Sequence, residues 1–319
     1  MRAVRFDRYG PAGVLRIDEV PEPVPGAGEV KVRIRAASLN PVDWKIRAGA
    51  MRWMPMFRGP PRGTGCDLAG EIAGVGRGVA PRHVGERVFG ALSPLARDGT
   101  CAEYAVLPAE SVAAMPDGLD FVHAAALPIA GGTALQAIVD EARLGAGQRV
   151  LIVGAAGGVG HFAVQIAKHV GACVVAVCSA GNTEFVRCFG ADEVIDYARE
   201  DFSRREDRFD AVFDAAGASS FAAARTILAA DGCYINTLGT GAATATTVLS
   251  AIAARFTTRQ RVVPFALQPG AATWQRLAEL VRAGALRPHV ERTVTLDEVA
   301  DAQGSREGGH GRGKVVVVL

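Results

Sequence analysis

Two patterns of hydrophobic and polar positions divide the chain. Residues 1–123 hold short alternating runs between Gly and Pro, such as Val30–Arg35, where apolar and charged residues alternate. This alternation predicts half-buried strands of an antiparallel sheet. Residues 263–319 have the same pattern of short runs and end in the apolar run Lys314–Leu319. We therefore predict one discontinuous, barrel-like antiparallel domain built from residues 1–123 and 263–319.

The intervening residues 124–262 alternate apolar strands with helices. The predicted strands are 148–153, 173–178, 193–195, 209–213 and 232–238. The predicted helices are 124–142, 159–170, 184–189 and 219–228. Continuous apolar strands that alternate with helices predict a parallel sheet covered on both faces. The last strand, Cys233–Leu238, is a candidate for the sheet edge.

The composition argues against nucleic-acid-binding, membrane and secreted proteins. The chain is 49% apolar and 21% charged, with a net charge of +2, so we expect no nucleic-acid or membrane partner. It has no run of about 18 apolar residues, and Met1–Asp7 does not have the pattern of a signal peptide. The six cysteines form no C-x-x-C pair, and we expect free thiols. A cytoplasmic location follows as an expectation.

A glycine-rich turn, Gly154–Gly160, lies between a predicted strand and a predicted helix. A helix start presents unpaired N–H groups and a partial positive charge, and glycines let a phosphate approach the backbone. Many α/β proteins have tight turns, but this one occupies the position that a dinucleotide-binding motif requires. We predict that Ala156, Gly157, Gly158 and Val159 bind the cofactor diphosphate.

The turn reads A-A-x-G-G-V-G after V-L-I, and here the sequence resembles the zinc-independent, quinone-oxidoreductase-like branch of the medium-chain dehydrogenase/reductase superfamily. Other matching segments are Asn40–Arg47, Gly65–Gly70, Gly85–Gly90, Ala124–Pro128, Gly190–Tyr197 and Gly311–Val316. The resemblance implies an α/β fold, in which a Rossmann-type doubly wound parallel sheet is inserted in a discontinuous GroES-like antiparallel β-barrel domain. It also implies an NAD(P)H-dependent oxidoreductase.

The strand that follows the turn bears on which dinucleotide binds. An acid at its end would bind the ribose of NAD and repel the 2′-phosphate of NADP, but this strand ends in Ser179-Ala180-Gly181-Asn182. Ser179 and Asn182 therefore favour NADPH over NADH. Relatives often carry Arg or Lys here, which this chain lacks. Tyr197 matches a family tyrosine beside the 2′-phosphate, although a surface tyrosine is the alternative, and Arg199 could supply a positive charge.

The places that hold zinc ligands in metal-dependent relatives correspond to Asn40, Cys66 and Ile129, and only Cys66 has a ligating atom. The four cysteines of the structural zinc lobe are also missing, so we expect no metal. Reduction of an already polarised acceptor is then the expected chemistry, since its carbonyl stabilises the developing charge.

The Asn40–Arg47 segment supplies the candidate catalytic residues. In relatives the asparagine lies near the nicotinamide, which assigns that place to Asn40. In enone-reducing relatives the lysine reaches toward cofactor or substrate, so we predict that Lys45 polarises the acceptor. A buried ammonium has a lowered pKa and could donate a proton. The alternative is that Lys45 is a surface lysine. Asp43 and Asp67 are predicted to be structural caps.

Three further features complete the predicted site. Thr133 matches a family threonine beside the nicotinamide, and Leu238 and Gly239 are expected to lie over the nicotinamide ribose. The apolar segment Met51–Phe57 is either a wall for a bulky hydrophobic carbonyl compound or a packing surface between domains.

The leading hypothesis is an NADPH-dependent reductase of quinones or activated double bonds. One alternative is a tailoring enzyme of secondary metabolism, either a trans-acting enoyl reductase or a redox-neutral cyclase. Another is a non-catalytic cofactor-binding protein, because fold does not fix function. A homodimer that pairs through the edge of the parallel sheet is implied by the resemblance.

Overall fold

The structure is a computed structural model that describes residues 1–52, 57, 59–237, 242–309 and 311–319. The described residues divide into two compact units. The first unit comprises residues 1–132, 268–284 and 288–319, and the second comprises residues 133–267 and 285–287. The second unit is thus inserted into the first. The sequence places the corresponding boundaries at residues 123/124 and 262/263.

The regular elements follow one another along the whole chain. The strands are β1 (Arg2–Phe6), β2 (Arg16–Glu19), β3 (Glu29–Ser38), β4 (Arg62–Gly63), β5 (Asp67–Val75), β6 (Arg87–Ala91), β7 (Tyr104–Pro108), β8 (Val112–Ala114), β9 (Arg149–Val153), β10 (Cys173–Cys178), β11 (Glu193–Asp196), β12 (Phe209–Asp214), β13 (Leu228–Thr237), β14 (Arg261–Phe265), β15 (Val290–Val294) and β16 (Lys314–Val318). The helices are α1 (Pro41–Arg47), α2 (Phe121–Ala125), α3 (Pro128–Leu135), α4 (Gly160–His169), α5 (Thr183–Cys188), α6 (Phe221–Ala224), α7 (Ala242–Thr257), α8 (Ala271–Arg282) and α9 (Val299–Glu307).

The first unit is built on a seven-stranded sheet in the order β15-β16-β3-β5-β6-β8, with β7 also paired to β3, and on a three-stranded sheet in the order β2-β1-β4. All pairs are antiparallel except β15 with β16. In β3, Val30, Val32 and Ile34 are buried and Arg33 is exposed, as the alternation predicts. The GroES-like part of the predicted fold is confirmed.

The second unit has a six-stranded parallel sheet in the order β11-β10-β9-β12-β13-β14. Strands β9, β10 and β12 lie inside it and are almost wholly buried, which explains their uninterrupted apolar sequences. The Rossmann-type part of the prediction is confirmed. Strand order reverses between β9 and β12, so the turn after β9 lies at the carboxyl edge, where ligands of such sheets bind.

The prediction that the strand at Cys233–Leu238 forms the sheet edge is wrong. Strand β13 pairs with β12 on one side and with β14 on the other, and β14 is the last strand of the described sheet. Pro264 lies in β14 and has no N–H to donate, which suits a strand with a neighbour on only one side. The chain reaches this position through α7, a helix that was not predicted from the sequence.

Two predicted helices differ in extent. The helix expected over 124–142 is divided into α2, α3 and a π-helical turn at Gln136–Glu141. Pro128 begins α3, because proline disfavours helical geometry in the preceding residue. The helix expected over 219–228 shrinks to α6, since β13 already begins at Leu228. All six cysteines are unpaired thiols. In the part of the chain that the structure describes, no helix is both long and apolar enough to cross a membrane.

Candidate cofactor and active site

The glycine turn between β9 and α4 has a shape that depends on two of its glycines. Gly154 has a φ of +77°, and a Cβ there would come within 2.7 Å of the Ala216 Cβ. At Gly160 a Cβ would come within 2.1 Å of the Gly154 carbonyl oxygen. At Gly157, by contrast, a Cβ would meet only that same oxygen, at 3.3 Å. A side chain therefore has no room at Gly154 or Gly160, whereas a Cβ at Gly157 would contact a single atom; we call this the open side of the turn.

The open side of this turn carries the predicted diphosphate-binding residues. Gly157, Gly158 and Val159 are half-buried and immediately precede α4. The Gly157 N–H donates to the Gly154 carbonyl at 3.0 Å, whereas no hydrogen bond from the N–H of Gly158 or Val159 is found among the described residues. These N–H groups and the positive end of the α4 dipole suit a diphosphate. The residues present thus fit a dinucleotide, in a cradle that a Cβ at Gly157 would fill.

A buried histidine supports the turn from behind. His161 is fully buried on α4, and its Nδ1 lies 2.9 Å from the Gly157 carbonyl oxygen. Since that oxygen can only accept, Nδ1 is the protonated nitrogen. His161 falls within the helix predicted over residues 159–170, and no role was predicted for it from the sequence. Its place directly after the glycine turn was the available signal.

The loop that follows β12 lies against the glycine turn and is held by a buried carboxylate. Asp214 is fully buried and accepts N–H groups from Ala216, Ala218 and Ser219 at 3.2, 3.1 and 2.7 Å. Asn236 at the end of β13 donates to the same carboxylate at 3.0 Å. These hydrogen bonds fix the Ala215–Ser219 loop at the carboxyl edge, beside Gly154.

The predicted adenosine end of the site lies at the ends of β10 and β11. Ser179 Oγ accepts from Asn182 Nδ2 at 3.0 Å, and the Tyr197 N–H donates to the Cys178 carbonyl at 3.3 Å. Ser179 and Tyr197 each follow a pair of matched residues, Cys178 and Asp196, on neighbouring strands. The structure therefore brings Ser179, Asn182 and Tyr197 to one edge, and Tyr197 is 54% exposed.

Asp196 is an acid at this edge that the sequence analysis did not consider. Its Oδ1 accepts the Ala198 N–H at 3.1 Å, and its Oδ2 lies 3.6 Å from Arg199 Nε. Arg199 is therefore already partnered, although its side chain is 85% exposed. Any positive charge that Arg199 offers to a ligand is shared with Asp196.

In the first unit, Asn40 belongs to a buried polar cluster at the start of α1. Its Oδ1 accepts from Lys314 Nζ at 2.5 Å, and its Nδ2 donates to Asp67 Oδ2 at 2.8 Å. Lys314 and Asp67 are both buried, with Nζ and Oδ2 3.4 Å apart. Asp67 Oδ1 accepts the Ile129 N–H at the start of α3, at 2.8 Å. Both polar ends of the Asn40 side chain are thus engaged within the protein.

The three positions that correspond to zinc ligands in metal-dependent relatives, Asn40, Cys66 and Ile129, all contact an acid of this region. Asn40 and Ile129 both bond to Asp67, while the Cys66 thiol faces Asp43. Burial and the neighbouring carboxylates raise the pKa of Cys66 well above its ordinary value. No group of three His, Cys, Asp or Glu side chains that could hold a metal ion occurs among the described residues.

Asp43 is the least satisfied acid in this region. Its Oδ2 accepts the Asn40 N–H at 2.7 Å, which caps the start of α1, but its buried Oδ1 has no hydrogen-bond partner. Burial, reinforced by the charge of Asp67, raises the pKa of Asp43 to about 7, although the Asn40 N–H and Lys314 oppose this rise. Lys314 was predicted only as part of a strand. A lysine at the head of an apolar run was the signal that it is buried.

Lys45 lies on α1, five residues after Asn40. It is half-buried, and burial lowers the pKa of its ammonium group. Among the residues described, no ion pair or hydrogen bond of the Lys45 side chain is found. The ammonium of Lys314, by contrast, donates to Asn40 Oδ1.

The other predicted site residues are placed as follows. Thr133 is buried on α3. Leu238 and Gly239 lie outside the described residues, as does the middle of the Met51–Phe57 segment. Both described ends of that segment pack against the core of the first unit, and Phe57 stacks under Arg62 at 4.6 Å.

Comparison with known proteins places this architecture in a family. Residues 26–117 match the model of the alcohol dehydrogenase GroES-like domain, and residues 189–317 match that of zinc-binding dehydrogenases. The chain is 36% identical to the chloroplast envelope quinone oxidoreductase homolog of Arabidopsis thaliana, over 99% of this chain and 98% of that protein. It is also 36% identical to the NADPH-dependent alkenal/one oxidoreductase of the same plant, over 68% of this chain and 58% of that one.

The quinone oxidoreductase from Coxiella burnetii has a similar structure. The TM-score is 0.90 at 32% identity, and the match covers 100% of this chain and 99% of that chain. The chain therefore belongs to the quinone-oxidoreductase branch of the medium-chain dehydrogenase/reductase superfamily, a family of nicotinamide-dependent oxidoreductases.

Proposed function

We propose that this protein transfers a hydride from NADPH to a quinone or to the activated double bond of an α,β-unsaturated carbonyl compound, without a metal. The observation that carries the proposal is the open glycine turn, where the N–H groups of Gly158 and Val159 have no partner among the described residues and suit a dinucleotide diphosphate. Relatives named for quinones and for alkenals support the two acceptor classes.

The preference for NADPH rests on the edge formed by β10 and β11. Ser179 and Asn182 follow β10, and neither would repel a phosphate. Asp196 is an acid nearby, but its two oxygens are occupied by the Ala198 N–H and by Arg199. Tyr197 is exposed at the same edge and free to lie along a 2′-phosphate. The name of the NADPH-dependent relative agrees with this preference.

The chemistry divides between the cofactor and the first unit. Bound NADPH supplies the hydride. The Lys45 ammonium donates a hydrogen bond to the carbonyl oxygen of the acceptor, and its lowered pKa makes it a better proton donor to the resulting enolate. Asn40 is a positioning residue in this scheme, because Lys314 and Asp67 occupy its side chain while its N–H anchors Asp43 at the start of α1. The absence of a metal requirement is proposed from the donor set, in which only Cys66 has a ligating atom.

The location of the cofactor can be tested with Gly157→Ala. A Cβ at this position leaves the fold nearly undisturbed but fills the cradle, so thermal stability should stay near wild type while NADPH affinity falls by at least about tenfold, since lost hydrogen bonds to a charged group are worth about 1.5–3 kcal/mol. Gly13→Ala is the matched control, since a Cβ there meets nothing within 4 Å. Equal NADPH affinity in the two variants would place the diphosphate elsewhere.

The reaction can be tested by following NADPH and NADH absorbance with a panel of quinones and enones. We expect oxidation of NADPH in preference to NADH, and retention of activity after dialysis against a chelator. Tight NADPH binding with no turnover of any acceptor would favour the non-catalytic alternative. Product formation without net NADPH oxidation would favour a redox-neutral cyclase.

The role of Lys45 is tested by Lys45→Ala, with Lys168→Ala as the control because Lys168 is paired to Asp192 at the surface. We expect a drop of about 10²–10⁴ in kcat for enones with little change in NADPH affinity. A parallel loss of kcat and NADPH affinity would show that Lys45 binds the cofactor instead.

A further inference from the structure

The peptide group between Gly157 and Gly158 sets the direction of one N–H group on the open side of the glycine turn. Its carbonyl belongs to Gly157 and its N–H to Gly158, and in a planar trans peptide these two bonds point in opposite directions. The Gly157 carbonyl accepts the backbone N–H of His161 at 3.1 Å, in the first turn of α4. The Gly158 N–H therefore points away from α4, toward the side on which a diphosphate would lie.

Steric contacts do little to hold this peptide group in place. Gly157 and Gly158 both lack a Cβ, so the backbone dihedrals on either side of the peptide are restricted less than at other residues. Even an added Cβ at Gly157 would meet a single atom within 4 Å. Hydrogen bonds to the Gly157 carbonyl must therefore keep the Gly158 N–H in its direction.

The side chain of His161 supplies the second of these hydrogen bonds. Its Nδ1 lies 2.9 Å from the oxygen that its backbone N–H already contacts, and a carbonyl oxygen has two lone pairs to accept both donors. The imidazole ring is fully buried. It packs on Phe162, with 4.0 Å between ring centroids, and edge-on against Phe189 at 5.6 Å. The donor is thus held rigidly behind the turn.

We propose that His161 is a positioning residue for the cofactor: its Nδ1–H holds the Gly157 carbonyl toward α4 and thereby aims the Gly158 N–H at the cofactor diphosphate. The histidine acts through the peptide plane and does not contact the cofactor. An N–H group that is aligned before binding needs no reorientation when the cofactor arrives, which lowers the cost of binding. This inference rests on the proposed place of the diphosphate at the open side of the turn.

Two substitutions separate the hydrogen bond from the packing of the ring. His161→Asn keeps a nitrogen donor in the place of Nδ1 but loses the ring, whereas His161→Phe keeps a ring beside Phe162 and Phe189 but has no donor. We expect His161→Phe to weaken NADPH binding by about three- to tenfold, as for the loss of one hydrogen bond, and His161→Asn to bind within about twofold of wild type. A purely structural role predicts the opposite order, because phenylalanine fills the buried site better than asparagine does.

The measurement is a fluorescence titration of each variant with NADPH, alongside its melting temperature. In turnover assays, His161→Phe should raise the KM for NADPH and leave kcat at saturating NADPH unchanged. Val164→Ala is the control for general damage to α4, since Val164 is buried on the same helix. It should lower the melting temperature without changing NADPH affinity.

Wild-type NADPH affinity in His161→Phe, or weaker binding by His161→Asn than by His161→Phe, would overturn the proposal. Gly157→Ala distinguishes this failure from failure of the proposed cofactor site. Loss of NADPH affinity in Gly157→Ala but not in His161→Phe would reject the role of His161 alone. Unchanged affinity in both variants would reject the diphosphate site itself, and the role of His161 with it.

Discussion

The raised pKa of the buried Asp43 carboxyl makes the free energy of unfolding depend on pH. Its carboxyl has a pKa raised from 3.8 to about 7 by burial, so the folded protein keeps this proton up to about pH 7, whereas the unfolded chain loses it near pH 4. Between these values the folded state binds more protons, and the free energy of unfolding therefore falls as pH rises. The rise in pKa corresponds to about 4 kcal/mol in total, of which about 3 kcal/mol falls between pH 5 and 8.

The perturbation that isolates this effect is Asp43→Asn. The asparagine keeps an oxygen to accept the Asn40 N–H but carries no charge at any pH. We expect the variant to gain about 3 kcal/mol relative to wild type between pH 5 and 8, with the gain complete just above pH 7.

The assay is urea unfolding of both proteins at several pH values, without cofactor. Burial lowers the pKa of His289, which makes stability fall as pH drops through the range below 6.5, but His289 is common to both proteins and cancels in the difference. Asp117→Asn, at an exposed position, controls for the chemical change. A difference between Asp43→Asn and wild type that does not change with pH would refute the reasoning.

Three other predictions concern the same architecture. Gly160→Ala should unfold the second unit or lower its melting temperature sharply, because the new Cβ would lie 2.1 Å from a backbone oxygen; calorimetry would show this, and Gly157→Ala is the milder comparison. Lys314→Met should destabilise the first unit by about 3–5 kcal/mol in urea, since it leaves Asp67 buried beside Asn40 without its cation, and a loss below about 1 kcal/mol would contradict the importance of that pair. Asp214→Ala should weaken NADPH binding and speed amide exchange at Ala216, Ala218 and Ser219, and unchanged exchange would show that the loop holds its shape without the carboxylate.

Much of the parallel sheet could be predicted because local pattern and burial agree there. Strand β10 is observed over Cys173–Cys178, as predicted, since a strand with neighbours on both sides and helices on both faces must be apolar throughout. The glycine turn was equally predictable, because Gly154 has a positive φ and a Cβ at Gly160 would lie 2.1 Å from a backbone oxygen, so both positions favour glycine.

The buried polar cluster around Asn40 and the acid at the predicted adenosine end could not be predicted, because both depend on contacts between distant parts of the chain. The sequence shows Asn40 and Lys314 but not that they bond, since 274 residues separate them. It likewise shows Asp196 without revealing that parallel pairing places this residue beside Cys178. Helix α7 was missed because alanine and threonine fill most of its positions, so its few large apolar residues give only a weak periodic signal.

The position of β16 has a consequence for how the protein folds during synthesis. This strand comes late in the chain, yet it pairs with β3 at Ser38, Ala37 and Ala36 and carries the ammonium that neutralises Asp67. The parallel-sheet unit can therefore fold on the ribosome while the barrel still has an open edge and an uncompensated buried acid. A ribosome stalled before residue 314 should hold a protease-resistant second unit and a protease-sensitive first one.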